Sequence, residues 1–124
     1  MDMYRQEILD HFRHPHNFGT IDHAACTAAL SNTSCGDRIQ MDVNIKKVGE
    51  KEIVDSIRFS GVGCAISIAS ASLLTDAVVG KDRSWIESLQ PEFIYDLLGT
   101  PLTPSRIKCA LLSLEVLQKS LSGK

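Results

Sequence analysis

Two stretches in the first half of the chain alternate apolar and polar residues, with the two-residue period of a half-buried β-strand. The first covers residues 39–46 and the second residues 53–60, where Asp55 falls on the apolar face near the start. A turn around Gly49 separates them, so the two strands are predicted to pair antiparallel. A less regular apolar run at residues 24–30 predicts another strand.

Helical periodicity and helix-ending residues predict helices in the rest of the chain. They cover residues 3–13, 65–79, 85–89 and 91–98, followed by a last helix that begins between Thr103 and Ser105. The stripe predicted to face the core in this last helix is Ile107, Ala110, Leu111, Leu114, Leu117 and Leu121. This order of elements predicts an α+β fold, with a small three-stranded antiparallel sheet covered on one face by helices.

Length and charge narrow the classes of protein that fit this pattern. A chain of 124 residues, 44% of them hydrophobic, is predicted to form a single domain over residues 1–124. Its formal charge of -2 favours neither nucleic acid nor a membrane as partner. No apolar run approaches the length of about 18 residues that a membrane helix needs, and no signal peptide is evident, so we expect a cytoplasmic protein.

The four cysteines are therefore expected to be reduced thiols, available for metal or sulfur chemistry. Cys35 and Asp37 stand two residues apart, just before the strand predicted over residues 39–46. Cys64 follows two glycines that allow close approach of the backbone, and it begins a predicted helix, where free N–H groups favour a thiolate. Cys26 lies among alanines and is expected only to pack.

Cys109 lies near the start of the last helix, between the basic pair Arg106 and Lys108 and the apolar stripe. At about 100° per residue it stands about 200° from Ile107, so we expect it to face away from that stripe. Three thiolates and a carboxylate can complete a tetrahedral site for zinc or for an iron–sulfur cluster. The alternative is that these cysteines are buried structural residues, since free cysteine packs as a small hydrophobe.

Three histidines near the N-terminus are a second group of potential metal ligands. They are His11, His14 and His16. A proline separates two of them and they share no helical register, so ordinary surface positions are expected.

Short motifs distributed along nearly the whole chain resemble the NifU N-terminal/IscU/SufU family of iron–sulfur assembly proteins. They are Cys35-Gly36-Asp37, Gly63-Cys64 followed by Ile68-Ala69-Ser70, and Ile107-Lys108-Cys109. The resemblance implies that Cys35, Cys64 and Cys109 bind a metal or cluster and accept persulfide sulfur from a cysteine desulfurase. Asp37 would then be a weaker, exchangeable fourth ligand, since a hard oxygen binds iron or zinc less firmly than thiolates.

The sequence combines features of two branches of that family, the Isc type and the SufU type. Isc-type scaffolds share its spacing between the second and third cysteines but carry His where Lys108 stands. SufU-type proteins are similar around Cys64 and around Cys109 but carry an insertion that is absent here. The chaperone-recognition stretch of the Isc type is replaced by residues 102–106, so a dedicated Hsp70 chaperone is not expected as a partner.

Three hypotheses for the function follow from the resemblance. In the first, the protein is a scaffold and carrier that binds iron, assembles a [2Fe–2S] cluster and passes it to acceptor apo-proteins. In the second, it is a Zn²⁺-dependent sulfurtransferase in which Cys109, beside Arg106 and Lys108, attacks the desulfurase persulfide. In the third, zinc only stabilises the fold.

Overall fold

The computed structural model of the chain describes residues 3–33 and 36–122, which form three strands and five helices. Along the chain the elements are α1 (Met3–Arg13), β1 (Cys26–Asn32), β2 (Asp37–Val48), β3 (Lys51–Val62), α2 (Ala65–Val78), α3 (Arg83–Glu87), α4 (Pro91–Leu98) and α5 (Pro104–Ser122). The strands form one antiparallel sheet in the order β1-β2-β3. The predicted α+β fold with a three-stranded antiparallel sheet is therefore confirmed.

The β2–β3 hairpin extends beyond the predicted strands at both ends and contains a β-bulge. Asn44 lies opposite Ser56 and Ile45 opposite Val54, so Asp55 is the extra residue on β3. A bulge changes the face on which the preceding side chains point. Val54 is consequently buried, whereas the alternation had placed Ile53 and Asp55 on the core face, and that part of the prediction is wrong.

Helix α2 lies between other elements, because α1, α4, α5 and β3 all pack against it. Its small residues, such as Ala69 and Ala71, are fully buried and allow these neighbouring elements to pack closely. Several of its buried side chains are hydroxyls. Ser70 Oγ donates to the carbonyl of Ile66 within the helix at 2.7 Å, whereas Ser72 Oγ accepts the N–H of His16, outside the helix, at 2.8 Å. The helix thus buries polar groups without leaving these hydroxyls unsatisfied.

Helix α5 packs on β1 and β2 on one side and on α2 on another. This double contact buries a wider face than the stripe predicted from helical periodicity. Leu112 and Val116 are buried, whereas Ile107 and Leu111 are only partly covered. Cys109 belongs to the buried face at 2% exposure, so the prediction that it faces away from the core is wrong.

The short helices α3 and α4 both pack against α5; α3 also contacts β3, and α4 also contacts α2. Helix α3 begins two residues earlier than predicted because Asp82 caps it, its carboxylate accepting from the N–H of Ser84 at 3.0 Å. Helix α4 has the predicted limits, with Pro91 in its first turn and Gly99 after its end. Among the described residues, no helix is long and apolar enough to cross a membrane.

The segment after α1 is held against both α2 and β3. The carbonyl of Asn17 accepts from the N–H of Phe59 at 2.9 Å. His14 and His16 are exposed as expected, but His11 is half-buried, with Nδ1 2.7 Å from Ser72 Oγ and its ring centroid 4.5 Å from that of His16. Burial, together with the nearby His16, lowers the pKa of His11 below its usual value.

Candidate metal centre

Three separate segments meet at one end of the sheet. Arg38 pairs with Val62, so the antiparallel hairpin brings Asp37, the first residue of β2, next to Cys64, two residues beyond β3. Helix α5 crosses β1, β2 and α2 and contributes Cys109 from its second turn. The fold therefore unites residues that are far apart in sequence.

One ligand atom from each of Asp37, Cys64 and Cys109 lies within 4.8 Å of the other two. Cys64 Sγ and Asp37 Oδ2 are 3.7 Å apart. Around a tetrahedral zinc ion, with bonds of about 2.3 Å to sulfur and about 2.0 to 2.2 Å to oxygen, neighbouring donor atoms stand about 3.5 to 3.8 Å apart. The donor chemistry, and the 3.7 Å spacing between Cys64 Sγ and Asp37 Oδ2, therefore fit a thiolate-rich metal centre.

The Asp37 carboxylate contacts the Cys64 residue through both of its oxygens. Oδ1 accepts the N–H of Cys64 at 3.1 Å, while Oδ2 faces the thiol. Cys64 is the N-cap of α2 and its own side chain makes no capping hydrogen bond. A negative charge at this helix end is favourable, and Asp37 is only 2% exposed, so the carboxylate is held firmly in place.

Two glycines just before Cys64 allow the segments to approach this closely. A Cβ on Gly61, whose φ is +136°, would stand 1.9 Å from the carbonyl oxygen of Arg38 on the paired strand. A Cβ on Gly63 would stand 2.1 Å from Ser67 Oγ and 3.4 Å from the carboxyl of Asp37. Only glycine leaves this space free.

The two described thiols of the centre differ in their access to solvent. Cys109 is buried, with Sγ 4.0 Å from the carbonyl oxygen of Ser105, whereas Cys64 is half-buried. Cys35, the third predicted ligand, lies outside the described residues. Its neighbour Gly36 has φ +74° and leads directly into Asp37.

The basic residues near Cys109 are both exposed and line two different clefts. Arg106 lines a cleft of about 540 Å³ together with Arg5, next to residues of α1 and the start of α2. Lys108 lines a cleft of about 400 Å³ together with Glu115 and the end of β1. Positive charge is thus available on two sides of the segment that carries Cys109.

Ser67 lies near the centre but was not among the site residues predicted from the sequence. It is fully buried, and its hydroxyl lies 3.8 Å from Cys64 Sγ. Its position three residues after a cysteine at a helix N-terminus was the available signal, because residues three apart on a helix are neighbours. Cys26, by contrast, packs against the core at the start of β1 as predicted.

Comparison with known proteins gives the chain a family. The family model described as the NifU-like N terminal domain matches residues 3–123 of the sequence. The zinc-dependent sulfurtransferase SufU of Bacillus subtilis is 34% identical, covering 97% of this chain and 90% of that protein. The iron-sulfur cluster assembly scaffold protein IscU of Aquifex aeolicus is 32% identical, covering 95% of this chain and 73% of its own length.

The fold has a solved counterpart as well. The crystal structure of a putative iron-sulfur cluster assembly scaffold protein for the SUF system from Fervidobacterium islandicum superposes with a TM-score of 0.76 at 23% identity, covering 98% of this chain and 96% of that one. With the match to residues 3–123, these comparisons show that the chain belongs to the NifU-like N-terminal domain family, as the motifs around its cysteines predicted.

Proposed function

We propose that the protein is an iron–sulfur cluster assembly scaffold, which receives sulfur from a cysteine desulfurase and passes a [2Fe–2S] cluster to acceptor apo-proteins. The observation that carries this proposal is the convergence of Asp37, Cys64 and Cys109 within 4.8 Å. Soft thiolates bind iron and its clusters well. The similarity to proteins named as assembly scaffolds supports the same function.

In this proposal Cys109 accepts the sulfur. Its thiolate attacks the outer sulfur of the desulfurase persulfide, the S–S bond of that persulfide breaks, and the desulfurase cysteine leaves as a thiolate. This transfer involves no net oxidation or reduction, whereas the later conversion of each persulfide sulfur into cluster sulfide takes two electrons, supplied by ferrous iron together with a thiol reductant. Arg106 and Lys108, as positive neighbours, favour the thiolate and attract an anionic persulfide. Because Cys109 is 2% exposed, the site has to open before attack, whereas Cys64 is accessible without such a change.

Asp37 is proposed to be the ligand that makes release possible, while Cys35, Cys64 and Cys109 hold the cluster. A carboxylate oxygen binds iron less firmly than a thiolate does, so it is the first to be replaced by an acceptor. The hydrogen bond from the N–H of Cys64 keeps Asp37 in place after the cluster has left. The site therefore stays ready for another round of assembly.

A second candidate, a zinc-dependent sulfur acceptor for the desulfurase, is favoured by the compactness of the site. Three donor atoms within 4.8 Å suit the ligands of one ion. Zinc would be held by Cys35, Asp37, Cys64 and Cys109, and it would supply a positive charge that keeps the thiolates deprotonated. The 34% identity to a zinc-dependent sulfurtransferase supports this candidate.

Anaerobic reconstitution separates the two candidates. Metal-free protein is incubated with a cysteine desulfurase and cysteine, with either ferrous iron or zinc. The cluster assay also contains a dithiol reductant, which supplies the electrons that convert persulfide sulfur into sulfide, and peptide mass spectrometry of samples without the reductant locates any added sulfur atom. The scaffold proposal predicts the visible absorption of a [2Fe–2S] cluster with iron, transfer to an apo-ferredoxin, and sulfur on Cys109. Stimulation of the desulfurase only by the zinc form, with no cluster, would instead establish the second candidate.

The same mapping tests the remaining alternatives. Sulfur found on Cys64 alone would move the entry point to the more accessible thiol. Sulfur on Cys26 alone, or on no cysteine, would contradict both candidates and leave zinc with a structural role.

A further inference from the structure

Ser67 occupies an unusual position for a buried hydroxyl. It lies in the first turn of α2, with no exposed surface, and its Oγ is 3.1 Å from the carbonyl oxygen of Cys64 and 3.8 Å from Cys64 Sγ. The one hydroxyl proton can therefore be directed at either a backbone oxygen or a sulfur.

The carbonyl oxygen of Cys64 does not depend on this hydroxyl. It also accepts the N–H of Ile68 at 3.1 Å, which is the ordinary backbone bond of the first helical turn. If the hydroxyl of Ser67 turns toward sulfur, the carbonyl keeps a partner. The reorientation therefore leaves no buried group unsatisfied.

The space around Ser67 keeps its oxygen close to the sulfur. A Cβ on residue 63 would stand 2.1 Å from Ser67 Oγ, so the hydroxyl fills the volume that Gly63 leaves empty. The carboxyl of Asp37 borders the same space, at 3.4 Å from that Cβ position. The hydroxyl thus lies close to both the backbone of Gly63 and the ligand sulfur.

We propose that Ser67 is a positioning residue for the metal centre, whose hydroxyl donates a hydrogen bond to Cys64 Sγ when that sulfur is bound to a metal ion. This proposal rests on the proposed metal-binding function of the site. A metal-bound thiolate has no hydrogen of its own, so the hydroxyl must be the donor in that contact. Such outer hydrogen bonds orient a ligand and stabilise its charge, and their loss costs about 10- to 100-fold in metal affinity.

The next serine on the buried face of α2 provides a matched control. Ser70 is as fully buried as Ser67 and donates to a backbone carbonyl in the same helix, at 2.7 Å from that of Ile66. No cysteine is among its hydrogen-bond partners in the described part of the chain. Ser70→Ala therefore removes a buried hydroxyl of the same kind without touching the ligand sulfur.

The test is a titration of the metal-free protein with Co²⁺, followed by competition with Zn²⁺ for the same site. In Ser67→Ala we expect the affinity for both ions to fall about tenfold or more and the thiolate-to-cobalt charge-transfer bands to shift. In Ser70→Ala we expect both quantities to remain within about twofold of wild type. Ser67→Thr keeps a hydroxyl and should restore the wild-type band positions.

Three outcomes would overturn the proposal. These are wild-type affinity and spectrum in Ser67→Ala, an equal loss in Ser70→Ala, or a Thr variant that folds but behaves like Ala. Failure of the underlying function would look different, because wild-type protein would then show no thiolate-to-cobalt bands at all.

Discussion

Gly63→Ala is the substitution that most directly tests how tightly the centre is packed. The φ of Gly63 lies outside the left-handed region, so alanine is compatible with the backbone conformation itself. The obstacle is space: the new Cβ would lie 2.1 Å from Ser67 Oγ and 3.4 Å from the carboxyl of Asp37. Both of those side chains are buried, so neither can simply swing into solvent.

The expected cost follows from those two contacts. Adding a methyl group to a well-packed interior costs about 1 to 3 kcal/mol. Displacing Ser67 Oγ also breaks its hydrogen bond to the carbonyl of Cys64, which is worth about 1 kcal/mol. We therefore expect the free energy of unfolding to fall by about 3 kcal/mol. For a domain of this size that corresponds to a decrease in Tm of about 10 °C.

The assay is urea and thermal unfolding of the metal-free protein. Each glycine substitution is measured both in the wild-type chain and in the Ser67→Ala variant. Because Ser67 Oγ is the nearest obstacle, Ser67→Ala should reduce the cost of Gly63→Ala by at least about 1 kcal/mol. Gly49→Ala is the control, since its Cβ meets nothing within 4 Å but its φ is +65°. Its cost of about 1 to 2 kcal/mol arises from the backbone and should be the same in both backgrounds.

Wild-type stability of Gly63→Ala would contradict this prediction. Equal rescue of Gly49→Ala and of Gly63→Ala by Ser67→Ala would contradict it as well. Either result would mean that the close contact between Gly63 and Ser67 does not determine the stability of the site.

Four further predictions concern substitutions at other residues. Asp42→Asn should lower the free energy of unfolding by about 2 kcal/mol in urea titrations, because this buried carboxylate accepts three hydrogen bonds. Asp55→Asn is the control: Asp55 is exposed, so the free energy of unfolding should change little. Burial beside a second histidine lowers the pKa of His11 from 6.5, so below pH 6.5 the unfolded chain binds more protons than the folded protein does. The unfolding midpoint should therefore fall as the pH drops below 6.5, and His11→Asn should flatten this dependence. Asp37→Ala should slow cluster release to an apo-ferredoxin while permitting assembly, and faster transfer would contradict the assigned role. Arg106→Ala should slow sulfur transfer from the desulfurase about tenfold without changing zinc affinity, and a wild-type rate would show that the cation does not guide the persulfide.

Much of the fold could be predicted because patterns within short stretches of the sequence determine it. The alternation in residues 39–46 and 53–60 predicts the hairpin, and Pro91 and Gly99 mark the limits of α4. The bulge at Asp55 could not be predicted, because it depends on how two strands share their register. That one extra residue decides whether Ile53 or Val54 is buried.

The candidate site shows the same division between local and tertiary information. The positions of Asp37 at a strand entrance and of Cys64 at a helix start follow from neighbouring residues in the sequence. The orientation of Cys109 does not, because periodicity describes one helix face, while α5 is covered by both the sheet and α2. The contact of Ser67 with Cys64 likewise needed the three-dimensional packing around Gly63.

The central claim is that Asp37, Cys64 and Cys109, with Cys35, form one thiolate-rich metal centre. X-ray absorption at the zinc edge of zinc-loaded protein measures that ligand shell directly. We expect three sulfur atoms at about 2.3 Å and one oxygen at about 2.0 to 2.2 Å, with a sulfur lost in Cys64→Ala. A shell of nitrogen and oxygen alone, or a sulfur count unchanged in Cys64→Ala, would contradict the claim.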